Sequence, residues 1–138
     1  MKIAVSACLL GENCKYNGGN NYSVRVHDYV ENHEVIPVCP EVLGGLPTPR
    51  EPAEIVDGTV RRKDGTVVDE EFRRGAETAL RIIQEQKAEL VILQSRSPSC
   101  GMNTVYDGSF TGTLVRGNGV FAELLEQNGI KAIDVADL

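Results

Sequence analysis

The sequence has no tryptophan, and aromatic residues make up only 5% of its 138 residues. Proteins that bind single-stranded nucleic acid need aromatic side chains on which bases stack, so this composition suits that class poorly. Basic residues are also in the minority, because 14 Lys and Arg are set against 20 Asp and Glu, for a net charge of −6. An acidic chain repels nucleic-acid polymers, and we therefore expect a small-molecule ligand and no nucleic-acid partner.

Long apolar runs are missing as well. No segment approaches the roughly 18 apolar residues that a membrane-spanning helix requires, so no membrane association is expected. Only residues 3–7 separate Lys2 from the first cysteine, which is too short for the apolar part of a secretory signal. The four cysteines therefore predict reduced thiols in a cytoplasmic protein. The length predicts a single domain over residues 1–138.

The order of the predicted elements indicates a three-layer α/β/α sandwich with a mostly parallel, Rossmann-like sheet. Apolar runs predict four strands, at residues 2–8, 34–39, 89–94 and 130–135. Apolar residues at helical spacing predict three helices, over residues 23–32, from the N-cap Asp69 onward, and from Val120 to Gly129.

The segments between these elements have a different composition. Residues 40–52 carry four prolines and two glycines, which predicts an ordered functional loop without regular structure. Two Asp-Gly pairs predict a small inserted β-ribbon with three short strands within residues 54–68. Residues 102–119 are expected to form a glycine-rich connection.

Three of the four cysteines, Cys8, Cys39 and Cys100, stand at or beyond the carboxyl end of a predicted strand. Ligands of open α/β sheets bind at that edge, so the three thiols are expected to converge, with Cys14 nearby in the first loop. Converging thiolates bind zinc, hold an iron–sulfur cluster or carry out redox chemistry, and buried structural cysteines remain the simpler alternative. The absence of any Cys-x-x-Cys pair disfavours thioredoxin-like exchange.

Polar residues accompany two of these thiols. Glu41 follows Cys39 by two residues, and Ser97 and Ser99 precede the last cysteine. A carboxylate and two hydroxyls beside a thiol cluster are typical of a site for chemistry on a polar substrate.

Two further side chains are candidates for substrate contact. Arg50 is expected either to orient a substrate carbonyl or to form an ion pair with Glu51 or Glu54. Tyr16 either lines the mouth of the pocket or lies exposed in the first loop.

Five motifs follow one another along nearly the whole chain: SACLLGENCKYNG, VCPEVLGGLPTPREPAEI, SRSPSCG, YDGSFTGTL and GNGVFAELLEQNGI. Together they resemble the domain of unknown function 523 family, which is associated with thiouracil desulfurases. The resemblance implies non-redox hydrolysis of a thiolated pyrimidine such as 2-thiouracil, giving uracil and sulfide.

The resemblance also implies a 4Fe–4S cluster held by three cysteines, with one iron free of protein ligands. From their positions at strand ends, we take Cys8, Cys39 and Cys100 as the ligands. Cys14 is then a nearby structural or protective thiol.

The same reaction needs a group that moves protons. Glu41 is the candidate general acid/base, and Ser97 is expected to donate a hydrogen bond or relay a proton. The candidate substrate-binding residues are Arg50, Ser99 and Tyr16. Two alternatives remain at this stage. One is a metal-free or zinc-bound binding module with structural cysteines, and the other is a cluster protein that handles sulfur for another enzyme, with a sulfur-acceptor protein as its partner.

Overall fold

Eight strands and four α-helices make up the fold, in a computed structural model that describes residues 1–138. The strands are β1 (Lys2–Ser6), β2 (Glu34–Val38), β3 (Ala53–Val56), β4 (Thr59–Arg62), β5 (Leu90–Leu93), β6 (Thr104–Tyr106), β7 (Leu114–Arg116) and β8 (Ala132–Asp134). The α-helices are α1 (Val24–Val30), α2 (Pro40–Leu43), α3 (Asp69–Gln86) and α4 (Val120–Gln127), and two 3₁₀ turns span Ala7–Leu10 and Val135–Asp137.

A parallel sheet of four strands, in the order β2-β1-β5-β8, forms the middle layer. All of β5 is buried, as its continuous apolar run predicts for a strand covered on both faces. β2 lies at an edge of the sheet, where Pro37 can be accommodated because an edge strand pairs on one side only.

Helices cover both faces of this sheet. On one face α3 and α4 pack Ile83, Phe121 and Leu125 against the sheet, and on the other face α1 contributes Val26 and Val30. The predicted three-layer sandwich with a mostly parallel sheet is confirmed. None of the helices has both the length and the apolar composition needed to cross a bilayer.

The small antiparallel sheets differ in part from the sequence prediction. β3 and β4 form the expected ribbon, but the predicted third strand contributes only one bridge, between Arg61 and Val67. β6 and β7 form a hairpin within residues 102–119, where only a connection was expected. Each of these two strands has three residues, which is too short for apolar alternation to indicate a strand.

The proline-rich segment also contains regular structure that was not predicted. Residues 40–43 form α2, a single helical turn with Pro40 at its first position. Proline is favoured there because the first N–H groups of a helix have no partner within the helix. The expectation of a wholly irregular loop over residues 40–52 was therefore wrong for its first four residues.

The start of α3 differs from the prediction as well. The N-cap is Val68 and not Asp69, which is the first residue of the helix. The carboxylate of Asp69 instead accepts a hydrogen bond from the N–H of Val60 at 2.9 Å and one from Arg73 at 2.8 Å. A tertiary contact with β4 has thus taken the place of the local cap.

Candidate functional site

The site lies where the sheet topology changes direction. From β1 the chain passes to β2 on one side, and it later enters β5 on the other side of β1. Such a switch point opens a crevice at the carboxyl ends of the strands. Cys8 lies in the turn directly after β1, Cys39 follows β2, and Cys100 lies in the loop after β5. Three neighbouring strands therefore bring these thiols to one edge of the sheet.

All four cysteines are free thiols close enough to influence one another's ionisation. Burial raises the pKa of the Cys8 thiol, and the nearby Cys39 adds to the rise. Burial also raises the pKa of Cys100 to about 12, again with a contribution from Cys8. Cys8 is thus near both of the other strand-end thiols: Cys39 influences its ionisation, and it influences the ionisation of Cys100.

The fourth thiol belongs to the first loop. Hydrogen bonding from the Cys14 thiol lowers the pKa of Cys39 to about 7, although burial acts in the opposite direction. The same contact raises the pKa of Cys14, because its proton is held by its neighbour. Cys39 is consequently the cysteine that is most readily present as a thiolate, the form that binds metals.

The donor set can be tested against the group that the sequence motifs imply. No three His, Cys, Asp or Glu side chains converge closely enough for a single metal ion. A tetrahedral zinc would bring its sulfurs to about 3.8 Å from one another, whereas each cysteine of an iron–sulfur cubane binds a different iron and lies further apart. Cysteine thiolates are the usual ligands of iron–sulfur clusters, so the chemistry of the donor set fits such a group.

A hydrogen-bonded carboxylate adjoins the thiols. Glu41 Oε2 accepts a hydrogen bond from Ser99 Oγ at 2.8 Å, and Glu41 Oε1 pairs with Arg50 Nε at 3.1 Å. Only 16% of the Glu41 side chain is exposed, and its charge acts on the ionisation of all three strand-end cysteines. Two predicted substrate contacts, Arg50 and Ser99, are thus partners of the predicted acid/base.

The two serines form a chain with a defined direction. Ser97 Oγ accepts N–H bonds from Ser99 and Cys100, both at 3.1 Å, which occupies the acceptor capacity of the hydroxyl. Its proton is therefore directed to Ser99 Oγ at 3.0 Å. Because Ser99 Oγ donates in turn to Glu41 Oε2, the protons point from Ser97 through Ser99 toward the carboxylate.

The first turn of α4 fixes the loop that carries these serines. The N–H groups of Phe121 and Ala122 donate to the carbonyl oxygen of Ser99, and the N–H of Val120 donates to that of Pro98. A Cβ at Gly119 would lie 2.6 Å from the Ser99 carbonyl oxygen, so only glycine permits this approach. Free N–H groups at the start of α4 thus hold the loop that carries these serines in place.

Two glycines allow α2, the helical turn that carries Glu41, to approach α3 closely. A Cβ on Gly44 would overlap the carbonyl oxygen of Glu71, and a Cβ on Gly75 would overlap that of Pro40. The backbones of α2 and α3 therefore touch directly. This contact sets how far Glu41 projects toward the thiols.

The structure corrects one expected pairing. Arg50 pairs with Glu41 and with neither Glu51 nor Glu54, because its side chain turns inward and is only 6% exposed. Tyr16 is 41% exposed in the first loop, and its carbonyl oxygen accepts the N–H of Arg50 at 2.7 Å.

One residue near the thiols was missed by the sequence reasoning. Asn21 Nδ2 donates to Cys8 Sγ at 3.5 Å, and the N–H of Asn21 donates to the carbonyl oxygen of Cys8 at 2.9 Å. Hydrogen bonds to cysteine sulfur tune iron–sulfur centres. The asparagine-rich composition of the first loop gave no sign of which asparagine would reach a thiol.

Comparisons with known proteins agree with these observations. The sequence model of the 2-thiouracil desulfurase family matches residues 3–137. The uncharacterized protein YbbK of Bacillus subtilis (strain 168) is 40% identical over 146 residues, covering 99% of this chain and 97% of that protein. The solved structure of TudS, a 4Fe–4S-dependent thiouracil desulfidase, is similar with a TM-score of 0.93 and 40% identity, covering 99% of this chain and 92% of that one. The family resemblance predicted from the five motifs is confirmed.

Proposed function

Because the chain belongs to the 2-thiouracil desulfurase family, we propose that it is an enzyme that hydrolyses the thione of a thiolated pyrimidine such as 2-thiouracil. Water adds its oxygen to the thione carbon, the C–S bond breaks, and the products are uracil and hydrogen sulfide. No electrons are gained or lost overall. The free thiols suit a reducing compartment, and we place the enzyme in the cytoplasm.

We assign Cys8, Cys39 and Cys100 as the three ligands of a 4Fe–4S cluster. Their support is that each follows one of three adjacent parallel strands, at the same edge of the sheet. When bound, such a cluster with one iron free of protein ligands supplies a soft Lewis acid to which a thione sulfur can bind. Cys14 stays a protein thiol beside Cys39.

Proton transfer falls to the hydrogen-bonded chain beside the thiols. Water attacking the thione carbon gives a proton to the Glu41 carboxylate, whose Oε2 is held in place by Ser99 and, through Ser99, by Ser97. Glu41 then returns this proton to the sulfur, which departs as hydrosulfide. As the uracil carbonyl forms, Glu41 takes up the hydroxyl proton of the adduct and later releases it to solvent or to the hydrosulfide. The observation that carries the proposal is that Glu41 Oε2 lies 2.8 Å from Ser99 Oγ, the hydroxyl next to Cys100, so the carboxylate is held beside the strand-end thiols.

The proposal is tested with protein reconstituted with iron and sulfide in the absence of oxygen and incubated with 2-thiouracil in water enriched in heavy oxygen. We expect uracil and sulfide in equal amounts, with the heavy isotope in the uracil carbonyl. An unchanged substrate in the presence of an intact cluster would contradict the function. Uracil that forms without heavy oxygen would contradict the hydrolytic step.

A further inference from the structure

Arg50 uses most of its hydrogen-bonding capacity within the protein. Its Nε donates to Glu41, its Nη1 to the Pro47 carbonyl at 3.2 Å and to Thr48 Oγ1 at 3.0 Å, and its Nη2 to the Cys14 carbonyl at 2.8 Å. These contacts occupy four of the five N–H donors of a guanidinium. One donor on Nη2 is left, and the side chain is only 6% exposed. A guanidinium that already uses four of its five donors within the protein has little capacity left to bind substrate directly.

The contacts of Arg50 join two parts of the site that are separate in sequence. Through Nη2 and its own backbone N–H, Arg50 holds the carbonyl oxygens of Cys14 and Tyr16 in the first loop. Through Nε it holds Oε1 of Glu41, whose other oxygen faces Ser99. The planar guanidinium fixes the angle between these partners, which a single ammonium group could not do.

We propose that Arg50 is a positioning residue that acts through Glu41 and ties the first loop, residues 11–22, to the proton-transfer chain. The role rests on the function proposed above, since it presumes that Glu41 moves protons. With Arg50 in place, the Glu41 carboxylate keeps Oε2 toward Ser99, and the Cys14 thiol is held beside Cys39. Without it, the carboxylate gains freedom that the reaction geometry does not tolerate, and the first loop becomes more mobile.

The test compares Arg50→Gln with Arg81→Gln, an identical change on the exposed surface of α3. Both variants are reconstituted without oxygen, and their iron and acid-labile sulfide contents are measured first. We expect Arg50→Gln to keep its cluster and its KM for 2-thiouracil within about twofold of wild type, while kcat falls by about tenfold to 100-fold. Arg81→Gln should match the wild-type enzyme in every measurement.

A double variant separates action through Glu41 from independent action. Adding Arg50→Gln to Glu41→Gln should lower kcat by no more than about twofold beyond Glu41→Gln alone, because the group that Arg50 positions is already gone. A KM that rises with kcat unchanged would make Arg50 a substrate-binding residue and overturn the proposal. Losses in kcat that multiply in the double variant would overturn it as well.

Amide hydrogen exchange supplies a measurement that does not depend on turnover. In Arg50→Gln the amides of residues 11–22 should exchange faster than in the wild type, with the rest of the chain unchanged. Unchanged amide exchange in residues 11–22 would contradict the proposal that Arg50 holds the first loop. If wild type proves inactive on 2-thiouracil, the function fails, and the exchange result still decides whether Arg50 holds the loop. Should Arg50→Gln not fold, Arg50→Lys is measured in its place, since it keeps the charge but loses the planar fork.

Discussion

Ser99 Oγ and Glu41 Oε2 lie 2.8 Å apart although 58 residues separate them in the sequence. One residue comes from the loop after β5 and the other from the single turn of α2, and the two elements meet at the switch point of the sheet. The contact joins the hydroxyl chain to a carboxylate that is mostly shielded from water. The fold, and not the local sequence, thus creates the contact that the proposed proton transfer uses.

The first prediction concerns the carboxylate itself. Glu41→Gln keeps the shape of the side chain but removes the group that accepts a proton. We expect kcat on 2-thiouracil to fall by about 100-fold with iron and sulfide contents unchanged, as is typical when a general acid/base is lost. Steady-state kinetics on reconstituted protein measure this directly.

Glu77→Gln provides the matched control, because Glu77 is exposed on α3. It should behave like wild type. A Glu41→Gln enzyme with an intact cluster and normal kcat would remove Glu41 from the proton-transfer step.

The second prediction concerns the link between Ser97 and Glu41. Ser99→Ala removes the only hydroxyl that contacts both of these side chains. Because Ser99 is 1% exposed, no bulk water is available to replace the hydroxyl. We expect kcat to fall by about tenfold to 100-fold, while Ser109→Ala in the exposed β6–β7 hairpin has no effect. Full activity of Ser99→Ala would show that Glu41 does not depend on this hydrogen bond.

Much of the fold could be predicted from the sequence, because apolar runs and turn residues report local structure. The strands of the central sheet and the helix capped by Ser23 follow from patterns within a few residues, and Ser23 Oγ does accept the N–H of Val26. The desulfurase family followed from five motifs and is confirmed by the family match. The single turn at Pro40 was missed, since four residues carry no helical periodicity.

The pairings within the site could not be predicted in the same way. Arg50 was expected to orient a substrate carbonyl or to pair with Glu51 or Glu54, but its side chain turns inward to Glu41 and the Cys14 carbonyl. Asn21 was not singled out among the asparagines of the first loop. Each of these contacts depends on how distant segments of the chain pack together, and this packing cannot be predicted from charge or composition.

The third prediction concerns the contact between α2 and α3. Gly75→Ala introduces a Cβ that would overlap the Pro40 carbonyl oxygen, so α2 must move away. Overpacking of this kind lowers the free energy of unfolding by about 1–3 kcal/mol. Because α2 carries Glu41, kcat should fall together with stability.

Gly117→Ala is the control for this substitution, since a Cβ there meets Val105 Cγ2 at 3.4 Å, an ordinary contact. Chemical denaturation and kinetics of both variants give the two quantities. Wild-type stability in Gly75→Ala would contradict the close approach of the two helices.

The fourth prediction uses pH. Burial acts to raise the pKa of Asp69, but hydrogen bonds from Arg73 and from the N–H of Val60 outweigh it and lower the pKa below the ordinary 3.8. The charged form of Asp69 therefore stabilises the folded state above about pH 4, and this contribution is lost as the pH falls through the lowered pKa. At neutral pH we expect Asp69→Asn to lower the free energy of unfolding by about 1 kcal/mol.

The difference between wild type and Asp69→Asn should stay constant from pH 7 to about pH 5 and shrink as the pH falls further, toward about pH 3 and below. Urea unfolding across this range measures the trend, and Asp137→Asn, an exposed carboxylate near the C-terminus, should show no such difference. A gap that stays constant with pH would mean that the charge of Asp69 is not what matters.

The most direct test of the account is a count of iron and acid-labile sulfide in protein reconstituted without oxygen, for wild type and for four Cys→Ala variants. We expect about four irons and four sulfides per chain in the wild type and in Cys14→Ala. We expect the cluster to be lost in Cys8→Ala, Cys39→Ala and Cys100→Ala. A cluster that needs Cys14 and survives without one of the other three, or a chain that binds only zinc, would contradict it.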